Sequence, residues 1–152
     1  MPDGPTIANS SCLIALEAAG HLGVLQQLYA TILVPQAVAD ECGPQIPQWI
    51  QVQAIQNQAL FRSLRIELGA GEAEAIALCT ELPAVRLILD DKKARRIARQ
   101  LGLPVTGTLA VLLRAKGDGI IPSVGAVINA LLAVDFRLSK ELIDETLRRA
   151  GE

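Results

Sequence analysis

The apolar residues of this chain fall into short unbroken runs separated by longer helix-like segments. Thr6 to Ala8, the run ATILV ending at Val34, the run from Arg86 to Leu89 and the pair Pro104-Val105 read as strands. Consecutive apolar residues before Asp90, rather than alternating ones, suit a parallel strand covered on both faces. Between the strands lie CLIALEAAG, which stops at Gly20, the shorter HLGVLQQLY, and PQAVADEC, opened by Pro35 where proline is tolerated. Ala73 to Leu82 is apolar on nearly every side and reads as a buried helix rather than an amphipathic one. In KKARRIAR, Lys92, Arg95, Arg96 and Arg99 share one helix face, while Ile97, Ala98 and Leu101 face inward. LAVLLRAKGDG and PSVGAVINALLAV follow. A last helix from Ser139 has a serine N-cap, acids in its first turns and Arg148 and Arg149 near its end, so it requires no functional explanation.

Strands alternating with helices predict a three-layer α/β/α sandwich around a central, mostly parallel sheet. Residues 1–152 read as a single domain, with residues 122–152 as a C-terminal helical extension packed on it. Met1 to Pro5 reads as a loose leader. Gly43 to Gln58, rich in proline and glutamine, is the least regular part; WIQVQAI suggests a loop leading into a short exposed strand or hairpin arm. It reads as an ordinary edge segment in preference to a partner surface.

Carboxylates gather where these elements meet. Asp90 and Asp91 follow a strand, at the edge where open α/β sheets place their ligands. Aspartate is also a favoured N-cap, but capping the next helix accounts for one aspartate and not two. Asn9, Ser10 and Ser11 stand at a second strand end and Thr106 at a third. Glu41 lies at the end of its helix, where the dipole does not favour a carboxylate. Glu72 and Glu74 open the buried helix; at about 100° per residue they are roughly 200° apart and cannot both enter one pocket.

Composition narrows the chemistry. With 152 residues, 51% hydrophobic and 20% charged, the chain suits one domain with a substantial core. A net charge of −2 and a pI near 5.4 do not announce a nucleic-acid binder, so such contact must come from a local patch. Cys12, Cys42 and Cys79 lack metal-type spacing and read as buried apolar residues in a reducing compartment. The start of the chain has no signal-peptide pattern, and no apolar run reaches the roughly 18 to 20 residues needed to cross a bilayer. The expectation is a soluble, cytoplasmic protein with no membrane partner. His21, the one histidine, has no second histidine with which to ligate a metal. GAGEAE is neither G-x-G-x-x-G nor a G-K-[ST] loop, and no G-x-S-x-G elbow occurs, which leaves nucleotide-loop and acyl-transfer readings unsupported. A phospho-acceptor centred on Asp90-Asp91 lacks a lysine at a later strand end.

What remains is an oxygen-rich set: Glu41, one of Glu72 and Glu74, and Asp90 or Asp91. Such sets hold hard cations like Mg²⁺ or Mn²⁺, which support phosphoryl chemistry by activating water and neutralising charge. The basic stripe of Lys92, Arg95, Arg96 and Arg99 beside it suits a nucleic-acid backbone.

The order NSSCLIAL, VPQAVADE, LGAGEAEAIAL, LILDDKKARRIA and VTGTLAVLLRAK resembles the PIN-domain (VapC-like) proteins, and among them a prokaryotic PIN-like subfamily, from about Thr6 to the C-terminus. The resemblance implies a Mg²⁺- or Mn²⁺-dependent endoribonuclease and toxin of a toxin–antitoxin pair. Single-stranded RNA, a small cognate antitoxin and a second copy of the chain are the partners it implies. It puts the family's acidic positions on Asn9, Glu41, Glu74 (or Glu72) and Asp90 or Asp91, with Ser11 and Thr106 as polar neighbours of the metal. Asn9 departs from the aspartate usual at that position. An amide oxygen still coordinates Mg²⁺, but the lost charge weakens binding and leaves the bound water less acidic. The alternative is therefore a catalytically silent PIN-like module that binds RNA or protein.

Overall fold

The structure is a computed structural model that describes residues 4–152, so residues 1–3 of the expected leader lie outside the described residues. In chain order the elements are β1 (Thr6–Ala8), α1 (Ser10–Ala18), α2 (Gly23–Leu28), β2 (Ile32–Val34), α3 (Gln36–Cys42), β3 (Ile50–Val52) and α4 (Gln58–Leu64). They continue with α5 (Ala70–Glu81), β4 (Arg86–Ile88), α6 (Lys92–Gln100), β5 (Val105–Thr106), α7 (Thr108–Gly117), α8 (Val124–Ala133) and α9 (Lys140–Arg149).

The strands form one sheet in the order β3-β2-β1-β4-β5, and every pairing is parallel. Alternate side chains of the strands feed two cores. Ala8, Ile32, Val34 and Ile88 pack among α1, α2, α7 and α8, whereas Ile7, Leu33, Leu87 and Leu89 pack against α5 and α6. This produces the three-layer α/β/α sandwich, and explains why the strands are apolar at successive positions. Arg86, which opens β4, is satisfied at the sheet's other end: its Nη1 donates to Thr6 Oγ1 at 2.9 Å and its guanidinium lies 4.3 Å from the Tyr29 ring centroid.

Of the short exposed strand and the hairpin arm expected around Trp49, the chain forms the strand, a parallel one at the sheet's edge, with Ile32 opposite Ile50 and Val34 opposite Val52. The chain returns through α3 before entering the sheet, so β3 runs in the direction of β2. Helix α4, for which the sequence offered no reading, is short and mostly exposed, and is capped by Asn57 accepting from Leu60 N. Leu101, expected to face inward, is 45% exposed; Ala94 and Ala98 supply the buried face of α6.

Two local features shape the far end of the molecule. Helix α8 closes with Asp135 in the left-handed region (φ 65°), Asp135 N donating to Leu132 O and Phe136 N to Leu131 O. This is a Schellman ending, with aspartate where glycine is usual. The Glu152 carboxylate accepts from Lys116 Nζ, Ser123 Oγ, Val124 N and Gly125 N at 2.8 to 3.0 Å, tying the chain's last residue to α7 and to the start of α8.

Candidate active site

The crossovers from β1 and from β4 lead toward opposite edges of the sheet, because β2 and β5 lie on opposite sides of this central pair. The strand order reverses there, and a crevice opens beyond the strand termini at such a switch point. The residues just after the two strands, Asn9 and the Asp90-Asp91 pair, line a cleft of about 690 Å³ together with Glu41 and Glu72. With a water occupying about 30 Å³, the cleft has room for a hydrated ion and a phosphodiester together.

Asn9 is 4% exposed, and its Oδ1 is buried without a hydrogen-bond partner among the described residues. It stands at the N-cap position of α1 but caps nothing, so the habitual role of asparagine there does not explain it. Gly71, in the first turn of α5, lies against the same point: a Cβ added to it would be 3.1 Å from Glu41 Cδ and 3.3 Å from Asn9 Oδ1. Glycine lets α5 come close enough to bring Glu41 and Asn9 together. Two acceptors then flank one spot, which calls for a cation or a donor between them.

The two glutamates of α5 separate as helix geometry requires. Glu72 lines the cleft. Burial, then the Asp91 and Glu41 charges, raise its carboxyl above the ordinary value, while a backbone hydrogen bond at Gly69 works the other way. Glu74, favoured on the resemblance, turns instead to α3, where its Oε1 accepts from Ala37 N at 2.8 Å. It satisfies an open N–H at the start of that helix and is not among the cleft's lining residues.

Both aspartates prove to be caps, of different helices. Asp91 Oδ2 accepts from Ala94 N at 2.9 Å at the start of α6. Asp90 reaches across to α7, its Oδ1 accepting from Thr108 N at 2.9 Å and its Oδ2 from Thr108 Oγ1 at 2.6 Å. Capping therefore accounts for both aspartates and not for one, since the second helix to be capped starts 18 residues further on. Both still line the cleft, and each carboxylate oxygen keeps a lone pair. Thr108, fully buried, is thus the threonine bonded to Asp90; Thr106 sits within β5, its carbonyl accepting from Leu89 N, and does not line the cleft. Ser11 does line it, with Ser10.

The basic stripe divides. Lys92 lines the cleft, and Lys92, Arg95 and Arg99 line an adjoining groove of about 450 Å³ that shares Asp90 with it. Arg95 is partly committed, its Nη1 donating to Leu89 O at 2.9 Å; burial and the Arg99 charge lower its pKa. Arg96 is exposed and lines neither space. Asp135, Phe136 and Arg137, from the turn between α8 and α9, also line the cleft. The break VDFRLS between the apolar helix α8 and the charged helix α9 was their only sequence signal.

The cysteines stand apart from this chemistry. Cys12 is pushed up to about 12 chiefly by burial, and Cys42 and Cys79 to about 11, so all three are neutral thiols at ordinary pH.

An acid-lined crevice at the switch point of a parallel α/β sheet, with a basic groove opening from it, is the arrangement of a nuclease-like domain. The sequence matches the PIN-domain family over residues 5–152, and the chain belongs to that family. PIN domains are nuclease-like modules that typically use divalent metal ions. No curated protein and no solved structure matches significantly.

The donor set fits a hard divalent cation. Among the described residues, no three His, Cys, Asp or Glu side chains stand close enough to grip one ion between them. Mg²⁺, however, keeps several waters and takes one or two carboxylates directly. Glu41 beside the orphaned Asn9 oxygen supplies that minimum, with Glu72 and Asp91 near enough for their charges to be felt. Among the described residues no helix is long and apolar enough to cross a membrane.

Proposed function

We propose that this chain is a metal-dependent endoribonuclease of PIN type that cuts single-stranded RNA at the cleft between β1 and β4. The observation that carries the proposal is the Asn9 oxygen, buried and unpartnered beside Glu41. A buried acceptor without a partner costs about 1–3 kcal/mol, a cost relieved if an ion binds there. Asn9 and Glu41 would hold Mg²⁺ or Mn²⁺ directly, with Asp91 and Glu72 bonding its waters or closing on it. The bound ion supplies a more acidic water and neutralises charge on the phosphate and leaving oxygen.

The protein's own part is positioning. Thr108 fixes Asp90 by two hydrogen bonds, leaving its free lone pairs to orient a proton of the attacking water. Lys92, which lines both cleft and groove, balances charge on the phosphate. Glu72 takes the place given to Glu74 on the resemblance, because Glu74 is engaged at Ala37.

Calorimetric titration of Mn²⁺ and cleavage of a single-stranded RNA oligomer test the proposal, with wild type beside Glu41→Gln and Asp91→Asn. Asparagine is as good an N-cap as aspartate, so Asp91→Asn removes charge and keeps the cap. Expected are binding by wild type, a loss of about tenfold or more in each variant, loss of cleavage and a metal-free melting temperature no lower than that of wild type, since each variant also relieves repulsion on Glu72. Equal binding by the variants would place the ion elsewhere. The neutral Asn9, with the loose spacing of the acids, favours one rival, a silent module binding RNA or protein; metal binding that appears only in Asn9→Asp would decide for it.

The role of toxin in a toxin–antitoxin pair rests on the family resemblance. Growth arrest on expression, relieved by a small protein encoded beside it, is the expected result; growth unaffected by the wild type removes the role.

A further inference from the structure

The groove that opens from the cleft has two charged sides from distant parts of the chain. Helix α6 supplies Lys92, Arg95 and Arg99, and α9 supplies Arg149, while α7 lines it with apolar Leu109 and Leu113. Its acids are Asp90, bonded to Thr108, and Glu145, paired with Arg148 and, at 3.0 Å, with Arg149. Four cations against two anions leave this surface positive in a protein whose net charge is −2. Groove and cleft are continuous, because Asp90 and Lys92 line both.

The cleft repeats the pattern. Arg137, from the turn after α8, lines it among five carboxylates yet makes no hydrogen bond or ion pair with a described residue. Its place follows from the Schellman ending: with Asp135 left-handed, Phe136 turns back onto the core and Arg137 comes to the cleft, exposed. A cation that leaves nearby acids unpaired is free for an anion brought from outside.

We propose that the segment after α8 forms the second side of the substrate track. Arg137 contacts the phosphate at the cleft, Arg149 acts with Arg99 on phosphates further along, and a single RNA strand lies between α6 and α9. The apolar lining, including the half-exposed Leu142, accepts ribose and base surfaces that a duplex keeps stacked away. This rests on the nuclease reading above, but concerns binding and not the metal.

The test is fluorescence anisotropy of a labelled single-stranded RNA of about ten nucleotides, a length within ordinary single-strand site sizes. It is run on the full chain with chelator, across a salt series. Arg137→Ala, Arg149→Ala and Arg99→Ala should each weaken binding several-fold and lower the slope of log affinity against log salt by about 0.7. Arg96→Ala, the same charge change on α6 outside both spaces, should leave affinity and slope unchanged. A dinucleotide should feel Arg137→Ala but neither Arg99→Ala nor Arg149→Ala. Wild-type binding that Arg137→Ala and Arg149→Ala leave intact overturns the two-sided track while the metal and cleavage results stand. Duplex RNA bound as tightly as the single strand overturns it as well. No binding of any RNA by wild type removes the track and the nuclease reading together. Far-ultraviolet circular dichroism of each variant keeps misfolding from imitating a lost contact; Arg149→Gln, which retains polarity, repeats the test if Arg149→Ala unfolds.

Discussion

Glu72 shows most directly how one residue divides between stability and function. Burial and two neighbouring carboxylates raise its pKa above the ordinary 4.5. A raised carboxyl holds its proton in the folded state after the unfolded chain has lost it. The resulting destabilisation is absent below about the ordinary value and complete once pH exceeds the folded pKa. Glu72→Gln should therefore raise the metal-free melting temperature at neutral pH, with the gain fading toward pH 4, and should weaken Mn²⁺ binding. A neutral-pH melting temperature at or below wild type would mean that the Gly69 hydrogen bond outweighs the repulsion. Residue identity was the legible part of this site. Asn9, Glu41, Asp90 and Asp91 stood out because strand and helix ends are visible in the apolar runs. That only one of Glu72 and Glu74 could enter the cleft followed from helix geometry. Which one did not, because the rotation of α5 is set by packing of Ala73, Ile76 and Ala77 against strands distant in sequence.

At the level of elements, carboxylates at helix starts join the layers around the cleft. Glu74 ties α5 to α3, and Asp90 ties the end of β4 to α7. Glu74→Ala should cost about 1 kcal/mol, as loss of a capping acceptor does, and lower the melting temperature by about 2–4 °C for a chain of this size. Mn²⁺ affinity should stay as in wild type; a loss of affinity with unchanged stability would return Glu74 to the metal site. The elements themselves were largely readable, because buried helices and parallel strands leave unbroken apolar runs. Two were not. Strand β3 has one buried residue of three, Ile50, and no periodicity that distinguishes a parallel edge from a hairpin. Helix α9 was fully explained by its caps and charges, which hid the fact that Arg149 and Leu142 line the groove. Local pattern reveals how a helix is made, but not what it is packed beside.

For the molecule as a whole, the Glu152 carboxylate fastens the C-terminal segment to α7 and α8. Hydrogen bonds from Lys116, from the backbone at Gly125 and Val124, and from Ser123 hold its pKa down at about 2. A depressed carboxyl stabilises the fold above the unfolded value of 4.5, and that contribution is lost as pH falls through about 2. The difference in melting temperature between wild type and Glu152→Gln should be present at neutral pH and shrink across that window. A difference that persists unchanged at pH 2 would assign the effect to shape rather than charge. The strand order has a consequence for the protein while it is being made. Thr6 of β1 bonds Arg86 of β4 across 80 residues, and the cleft lies between the ends of these two strands. Because synthesis runs from the N-terminus, Asn9 and Glu41 emerge from the ribosome well before Asp90 exists to complete the site. Until β4 has slotted in beside β1, a nascent chain carries Asn9 and Glu41 without the crevice that joins them to Asp90, so whatever the cleft receives must wait for the second half of the chain.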